Sequence, residues 1–283
     1  MSVGGAVLAL MGTLLLGGCG DEEATPTPAV ENATAAELVH IHGLGVNPAD
    51  DSLYIATHSG LFRSPEDSEG IERVGTSEQD TMGFTVVGPD RFLGSGHPGP
   101  EEGGPSNLGL IESSDAGGTW QEVSLAGEAD FHTLRYAHDR VYAYNGLTGE
   151  LMLSSDGGES WESRTPPRSI IDLAVDPSDE GRILVSTDQG LALSEDDGKS
   201  WKPVDGEIGL LAWPEDGALY LADSAGKVSV AKDAGGRWQA AGEIGGQPAA
   251  LTAASADELY AARGGTVVSS ADGGKSWQTR ASS

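Results

Sequence analysis

Apolar and polar residues alternate along most of the chain after residue 39, in short stretches separated by turns rich in Gly, Asp and Pro. One such stretch is "RILVSTD" (182–188), and "GLALSED" (190–196) follows it almost at once. Alternation with a period of two is typical of half-buried β-strands, and short Gly- or Asp-containing turns between such stretches are typical of hairpins. The pattern therefore predicts an all-β protein built from consecutive antiparallel strands.

A second pattern, S-x-D-x-G-x-x-W, marks the repeat. It occurs in four complete copies, and a fifth copy has Ala231 in place of the Ser. The Asp and Trp of the five copies are Asp115 and Trp120, Asp156 and Trp161, Asp196 and Trp201, Asp233 and Trp238, and Asp272 and Trp277. Successive aspartates lie 37 to 41 residues apart. Four strands in about 40 residues is the size of one blade of a β-propeller.

The repeat pattern also continues upstream of the first box, in two segments. "HIHGLGVNPADDSLYIATHSGLFRS" (40–64) matches "IIDLAVDPSDEGRILVSTDQGLALS" (170–194), and "MGFTVVGPDRFLGSG" (82–96) opens the repeat that ends at Trp120. We therefore predict a six-bladed β-propeller of four-stranded antiparallel blades over residues 39–283. The blades are expected to start near residues 39, 80, 130, 169, 206 and 247. The first has only a degenerate box, "SPEDSEG", which lacks the Trp.

The repeated box indicates a structural role. An Asp side chain accepts hydrogen bonds from the backbone of its own turn, Gly permits a positive φ, and the Trp covers the turn. The pattern resembles the Asp-box (BNR) repeat family, which occurs in sialidases, sortilin-type receptors and bacterial propellers. The resemblance implies that the boxes lie between the third and fourth strands of each blade and are not catalytic. The segments "HIHGLG", "ATHSGLF", "MGF", "SGHP" and "DFHTL" also resemble, as a set, bacterial propeller lipoproteins labelled glycosyl hydrolases.

The N-terminal segment "VGGAVLALMGTLLLGGC" (3–19) is apolar up to Cys19, the only cysteine. It is short for a bilayer span and is placed like the core of a signal peptide. Leu16-Gly17-Gly18-Cys19 resembles the lipobox of bacterial lipoproteins, which implies a signal peptide over 1–19 and a lipid on Cys19. The protein would then be extracytoplasmic and lipid-anchored to the cell membrane, with residues 20–38 as a flexible tether. Because no Lys or Arg precedes the apolar core, a poorly packed N-terminal helix is the alternative.

The chain carries 44 Asp and Glu against 16 Lys and Arg, for a net charge of −28. Such a surface repels nucleic-acid phosphates and anionic lipid headgroups, so nucleic acid is excluded as a partner. The same charge favours solubility and could attract cations; the alternative is that the acidity only serves as a solvated surface.

Five of the six histidines are expected to meet at one mouth of the central channel. Alignment of the blades by their first strands puts His42, Met82, His132 and Ile171 at one position, with His40 two residues before His42. Two other histidines end second strands, and in a four-stranded blade the start of strand one and the end of strand two share a face. We therefore predict a ligand site formed by His40, His42, His58, Met82, His97, Asp130 and His132. His138 is expected on the opposite face.

The residue types in this site leave the ligand open. His with Met suits copper, and His with carboxylates such as Asp130 or Glu101 suits zinc. A divalent or copper ion would be held by the four histidines His42, His58, His97 and His132. The alternative is a cluster of neutral imidazoles that binds an organic ligand or fills the channel mouth. The insertion "GHPGPEEGGPSN" (96–107) lies on the same face and could form a rim or lid.

Two classes of function follow. The first is a noncatalytic propeller that binds a ligand, a metal or an envelope protein, as similar photosystem-assembly propellers imply. The second, implied by the glycosyl-hydrolase label, is a hydrolase of an extracellular glycan. A sialidase-type set of an Arg triad, a Tyr nucleophile with a Glu partner and an Asp acid is not found. Two facing carboxylates would suffice for other glycosidases, and the candidates are Asp80, Asp130, Asp172, Asp188 and Glu207. Binding is favoured because no nucleophile, general base and orienting group can be named together.

Overall fold

The computed structural model describes residues 1–2, 38, 40–66, 68 and 70–282. Cys19, the predicted signal peptide after residue 2, and the predicted tether up to residue 37 lie outside the described residues. The regular secondary structure of the described residues consists only of β-strands, and these residues include no helix long and apolar enough to cross a bilayer.

The described strands form six four-stranded antiparallel sheets that follow one another along the chain, and this confirms the predicted six-bladed propeller. The strands of blades one to three are β1 (Ile41–Val46), β2 (Leu53–Thr57), β3 (Gly60–Ser64), β4 (Glu72–Val74), β5 (Asp80–Gly88), β6 (Arg91–His97), β7 (Leu110–Ser113), β8 (Gln121–Ser124), β9 (Phe131–Ala137), β10 (Arg140–Asn145), β11 (Glu150–Ser154) and β12 (Glu162–Arg164).

Blades four to six have the same arrangement. Their strands are β13 (Ile170–Asp176), β14 (Asp179–Thr187), β15 (Gly190–Ser194), β16 (Lys202–Val204), β17 (Gly209–Ala212), β18 (Leu219–Asp223), β19 (Lys227–Ala231), β20 (Gln239–Glu243), β21 (Ala250–Ala253), β22 (Leu259–Arg263), β23 (Thr266–Ser270) and β24 (Gln278–Ser282). The first strand of each blade is at the centre of the ring, and the fourth is at its outside.

The ring closes through side chains. In the described chain no strand is shared between blades, and blade six packs directly on blade one. Ile41 and Leu53 of blade one share an apolar cluster with Tyr260 of blade six. The guanidinium of Arg280 in β24 donates to the carbonyl oxygen of Ser68, at 2.7 Å, in the turn between β3 and β4. The degenerate box of blade one is thus held by the last strand of the chain.

The hydrophobic core consists of layers between neighbouring blades. Alternating residues of the inner strands face an adjacent blade, so one cluster combines Tyr142 and Leu153 of blade three with Leu173 and Ile183 of blade four. All four side chains are buried. Removal of each such side chain from water contributes about 1.5–3 kcal/mol.

The box turns connect the third and fourth strands of blades two to six. In blade three, Ser154 Oγ accepts a hydrogen bond from the amide of Gly158 at 2.8 Å and donates to Asp156 Oδ1 at 2.8 Å. Asp156 Oδ1 also accepts the amide of Ser160 at 3.0 Å. Because one carboxylate and one hydroxyl satisfy three donors, the sequence S-x-D-x-G folds into a compact turn.

Each box also joins two blades, which the sequence pattern did not indicate. Trp161 of blade three donates from Nε1 to Ser124 Oγ of blade two at 3.1 Å, and its ring centroid lies 5.0 Å from that of Phe131. Trp120, Trp201, Trp238 and Trp277 pack against the corresponding clusters of the other blades. The tryptophans therefore stabilise the ring as well as their own hairpins.

Acidification is expected to weaken these turns. Hydrogen bonds from the Ser160 hydroxyl and amide and from Ser154 hold the pKa of Asp156 at about 2, and the equivalent bonds from Ser276 and Ser270 hold that of Asp272 at about 2. A carboxyl group with a lower pKa in the folded state stabilises the fold above its unfolded pKa of about 4, and this contribution is lost as the pH falls through the folded pKa.

Urea unfolding between pH 5 and pH 2 measures this effect. The free energy of unfolding should fall over that range, and Asp156→Asn should make the fall shallower. An identical pH dependence in wild type and variant would contradict the assigned role of the carboxylate.

Candidate functional site

The inner strands of blades one to four each begin with a β-bulge. The extra, unpaired residue of each bulge is His42, Met82, His132 or Ile171, the four residues that the sequence alignment placed at one position. A bulge removes one residue from the strand ladder and redirects its side chain. All four line the central channel, whose volume is about 1030 Å³. The bulge explains how this position presents a side chain to the channel mouth.

Two of the predicted histidines surround the carboxylate of Asp80 at the boundary of blades one and two. His42 Nε2 lies 3.3 Å from Asp80 Oδ1, and His58 Nδ1 lies 2.8 Å from Asp80 Oδ2. One donor atom from each of the three side chains lies within 4.8 Å of the other two. We call His42, His58 and Asp80 the first His–Asp cluster.

The other two predicted histidines surround Asp130 at the boundary of blades two and three. His132 Nε2 lies 2.8 Å from Asp130 Oδ2, and His97 Nε2 lies 3.9 Å from the same oxygen. The Asp130 side chain is only 8% exposed. We call His97, Asp130 and His132 the second His–Asp cluster. The structure thus divides the four predicted metal-binding histidines into two groups, each centred on an aspartate.

Of the remaining candidates, His40 and Met82 lie near the clusters or along the channel, and His138 lies away from them. The exposed ring of His40 has its centroid 6.0 Å from that of His58, and Met82 lines the channel. His138 is in the turn between β9 and β10, where its Nε2 lies 2.8 Å from the carbonyl oxygen of Asp176. Asp80 was absent from the predicted ligand set. The sequence did contain a signal for Asp80. It lies two residues before Met82, just as His40 lies two residues before His42 and Asp130 two residues before His132.

Of the five acids considered for glycan hydrolysis, Asp172 has a structural role, because its carboxylate is held by hydrogen bonds within the protein. Its Oδ1 accepts a hydrogen bond from Arg135 at 2.6 Å and from the amide of Leu173 at 2.8 Å. Its Oδ2 accepts the amide of Leu211 at 2.8 Å. The buried carboxylate therefore ties together the inner strands of blades three, four and five.

Three polar atoms of the two clusters are buried without a hydrogen-bond partner among the described residues: His42 Nε2, Asp80 Oδ1 and Asp130 Oδ1. An unsatisfied buried polar group costs about 1–3 kcal/mol. His42 Nε2 and Asp80 Oδ1 are close, but their geometry is not that of a hydrogen bond. A cation between them would satisfy both atoms.

The two clusters differ in protonation. Burial lowers the pKa of His42, and the neighbouring His58, His40 and His132 lower it further, against the opposing effect of Asp80. The hydrogen bond to Asp130 raises the pKa of His132. The lowered pKa favours the neutral form of His42, which is the form that binds metal ions, whereas a metal ion at His132 would have to displace a proton that Asp130 stabilises.

In the metal-free protein, His42 and His132 are expected to titrate on opposite sides of the ordinary imidazole pKa of 6.5. Side-chain ¹H–¹⁵N NMR correlation spectra recorded from pH 5 to pH 9 would give both values. Asp130→Asn should lower the pKa of His132, because it removes the negative charge that stabilises the imidazolium. Titration of both rings at one pH would contradict this geometry.

Comparison with known proteins adds information on the fold. No protein-family model matches the chain, and no curated protein has a significantly similar sequence. A solved structure of YCF48 bound to D1 peptide is similar at 15% identity and a TM-score of 0.56, covering 90% of this chain and 87% of that one. XC5397 from Xanthomonas campestris, described as a gluconolactonase, is similar at 15% identity and a TM-score of 0.64, covering 80% and 83%.

The GH74 xyloglucanase from Xanthomonas campestris is similar at 21% identity and a TM-score of 0.58. The match covers 89% of this chain but only 46% of the xyloglucanase, so this chain spans less than half of that enzyme. These neighbours include a glycoside hydrolase and a propeller bound to a peptide. At such identities the similarity shows that this chain shares the propeller fold with them.

Proposed function

We propose that this protein is a noncatalytic, extracytoplasmic propeller, anchored by a lipid on Cys19, that binds a transition-metal ion through His42, His58 and Asp80. The observation that carries the proposal is the pair of buried, unpartnered atoms in the first His–Asp cluster, His42 Nε2 and Asp80 Oδ1. Both are at the channel mouth, where a bound ion is accessible to a further ligand.

The donor set fits zinc or copper. Two imidazoles and one carboxylate are the protein ligands of several zinc sites, and imidazole also suits Cu²⁺. Donor atoms about 2.1 Å from a tetrahedral ion lie roughly 3.4 Å from one another. The 3.3 Å between His42 Nε2 and Asp80 Oδ1 is already close to that spacing. The net charge of −28 also favours a cation.

Three protein ligands leave one coordination position of a tetrahedral ion open. This position would take a carboxylate or imidazole from a partner, so that the propeller binds a peptide or envelope protein through the ion. Peptide binding by the YCF48 propeller supports a binding role for a fold of this kind.

Hydrolysis of a glycan is the less favoured alternative, although one neighbour is a xyloglucanase. Asp172 accepts three hydrogen bonds, and Asp80 and Asp130 each face histidines. Asp172 would have to give up these hydrogen bonds to act as a general acid or base, and the Asp80 and Asp130 carboxylates lie beside imidazoles in an arrangement that suits metal binding.

Elemental analysis of the full-length chain after dialysis against Zn²⁺ or Cu²⁺ tests the proposal, with a reducing-sugar assay on xyloglucan in parallel. We expect bound metal and no sugar release. His42→Ala should reduce the metal content, and His138→Ala, on the opposite face, should not. Absence of bound metal at micromolar concentrations, or any release of sugar from xyloglucan, would overturn the proposal.

A further inference from the structure

We propose that the second His–Asp cluster, formed by His97, Asp130 and His132, is a separate site for a second divalent transition-metal ion. This inference rests on the proposed function for the class of ion, but its site is formed by different residues. The mouth of the channel would then hold two ions, one at each of two successive blade boundaries.

The two clusters are built on the same repeat positions. In each, a histidine at or directly after the end of the second strand of one blade faces an aspartate at or directly before the first strand of the next: His58 with Asp80, then His97 with Asp130. The third ligand differs, because the first cluster takes the bulge residue of the preceding blade and the second takes that of the following blade. The His–Asp pair at a blade boundary therefore occurs twice, with the third ligand from opposite sides of the boundary.

The third boundary has lost this pair. The residue after β10 is Gly146, which occupies the position of His58 and His97. A Cβ at Gly146 would lie 3.1 Å from His132 Nε2, which is tighter than an ordinary contact. The glycine thus leaves room for the His132 ring beside Asp130, so the pattern ends where the second cluster needs space.

The insertion orients His97 as a metal ligand. His97 Nδ1 lies 2.8 Å from the carbonyl oxygen of Ser106, and because a carbonyl can only accept, Nδ1 carries the proton. His97 Nε2 is then the free donor atom, and it faces Asp130. A histidine that binds a metal usually donates its other ring N–H to a carbonyl or carboxylate in this way.

The same insertion is fixed to the body of the propeller. Glu102 accepts hydrogen bonds from the amides of Gly99 and Glu78, at 2.9 and 3.1 Å, and from the hydroxyl of Ser77 at 2.7 Å. The amide of Leu108 donates to the carbonyl oxygen of Gly96 at 2.8 Å and closes the base of the loop. These bonds hold Ser106 in place, so the segment supports His97.

Asp130 supplies the independent sign of a missing cation. Its side chain is more than nine-tenths buried, and its Oδ1 has no hydrogen-bond partner among the described residues, whereas Oδ2 contacts His132. A buried carboxylate with two imidazoles near its Oδ2 supplies the donor types of a zinc site. The donor atoms of His97, Asp130 and His132 do not all lie within the 4.8 Å found in the first cluster, so an ion would bind here with a rotation of the partly exposed His97 ring toward Asp130. Two ions in neighbouring clusters repel each other, so the ion that binds last should bind more weakly than the ion that binds first.

The test counts ions on the full-length protein by dialysis against Zn²⁺ followed by elemental analysis. Wild type is expected to bind two ions, Asp80→Asn one, Asp130→Asn one, and the double variant none. His138→Ala serves as the control and should keep two. Thermal unfolding checks that each variant is folded. If Asp130→Asn fails to fold, His97→Gln, at a partly exposed position, provides the same comparison.

The outcomes separate this inference from the proposed function. Two ions in both wild type and Asp130→Asn would overturn the second site. One ion that Asp80→Asn abolishes and Asp130→Asn leaves would also overturn it, with the proposed function intact. One ion that only Asp130→Asn abolishes would support the second site and overturn the first. No bound ion in wild type would overturn both.

Discussion

Replacement of Asp80 by Asn is expected to weaken Zn²⁺ binding at the first His–Asp cluster by at least about 100-fold. Asp80 is the only carboxylate of that cluster and contacts both of its imidazoles. Loss of residues that merely orient a metal ligand costs about 10–100-fold in affinity, so loss of the charged ligand should cost at least the upper end of that range. Isothermal titration calorimetry with Zn²⁺, or competition with a chelating dye, gives the dissociation constant.

Asp188→Asn is the matched control for this variant. It removes the same charge from an exposed acid at the turn between β14 and β15, on the same face of the ring. Its Zn²⁺ affinity should stay within about threefold of wild type, because a screened charge at a distance has a small effect. Equal losses in both variants would show that the overall negative charge, and not coordination by Asp80, attracts the metal.

Gly158→Ala is expected to lower the free energy of unfolding by about 2–5 kcal/mol. Gly158 has a φ of 98°, a conformation that costs an L-residue about 1–2 kcal/mol. A Cβ there would also lie 2.1 Å from Leu110 Cδ2 in the preceding blade, and relief of such overpacking costs about 1–3 kcal/mol more. The added methyl group would therefore push the box turn of blade three away from Leu110 of blade two.

The neighbouring Gly157 provides the comparison. It has a φ of 78°, but a Cβ at this position would meet no described atom within 4 Å. Gly157→Ala should therefore cost only the backbone strain, about 1–2 kcal/mol. Urea unfolding of the two variants measures the difference, which is the contribution of the contact between blades. Equal destabilisation would mean that the turn does not depend on the preceding blade.

The fold was predictable from the sequence because its information is local and repeated. Each blade carries its own alternating strands, and the box identifies the turn before the fourth strand. Five copies at a near-constant interval give the size of a blade and mark five of the blades, and the similarity of 40–64 to 170–194 adds the sixth. The role of the tryptophans between blades was not visible, because a single repeat does not indicate which neighbouring strand Trp161 contacts.

The candidate site was predictable only in part. Strand direction places histidines from different blades at one mouth, so their shared face follows from counting strands. Which imidazole meets which carboxylate depends on the bulges, which redirect His42 and His132, and on the carbonyl of Ser106 that orients His97. The structural role of Asp172 could not be predicted either, because its bond to Arg135 depends on how the blades pack against each other.

The arrangement of each blade as one uninterrupted segment has a consequence for how the chain can be rearranged. The seam between blades six and one is held by noncovalent contacts like those at the other five boundaries. A circularly permuted gene that starts at blade two and joins the present ends of the propeller by a linker would encode the same set of neighbours. Likewise, duplication of one 40-residue module would insert a whole blade without dividing any sheet, a simple evolutionary route by which a metal-binding boundary can be copied.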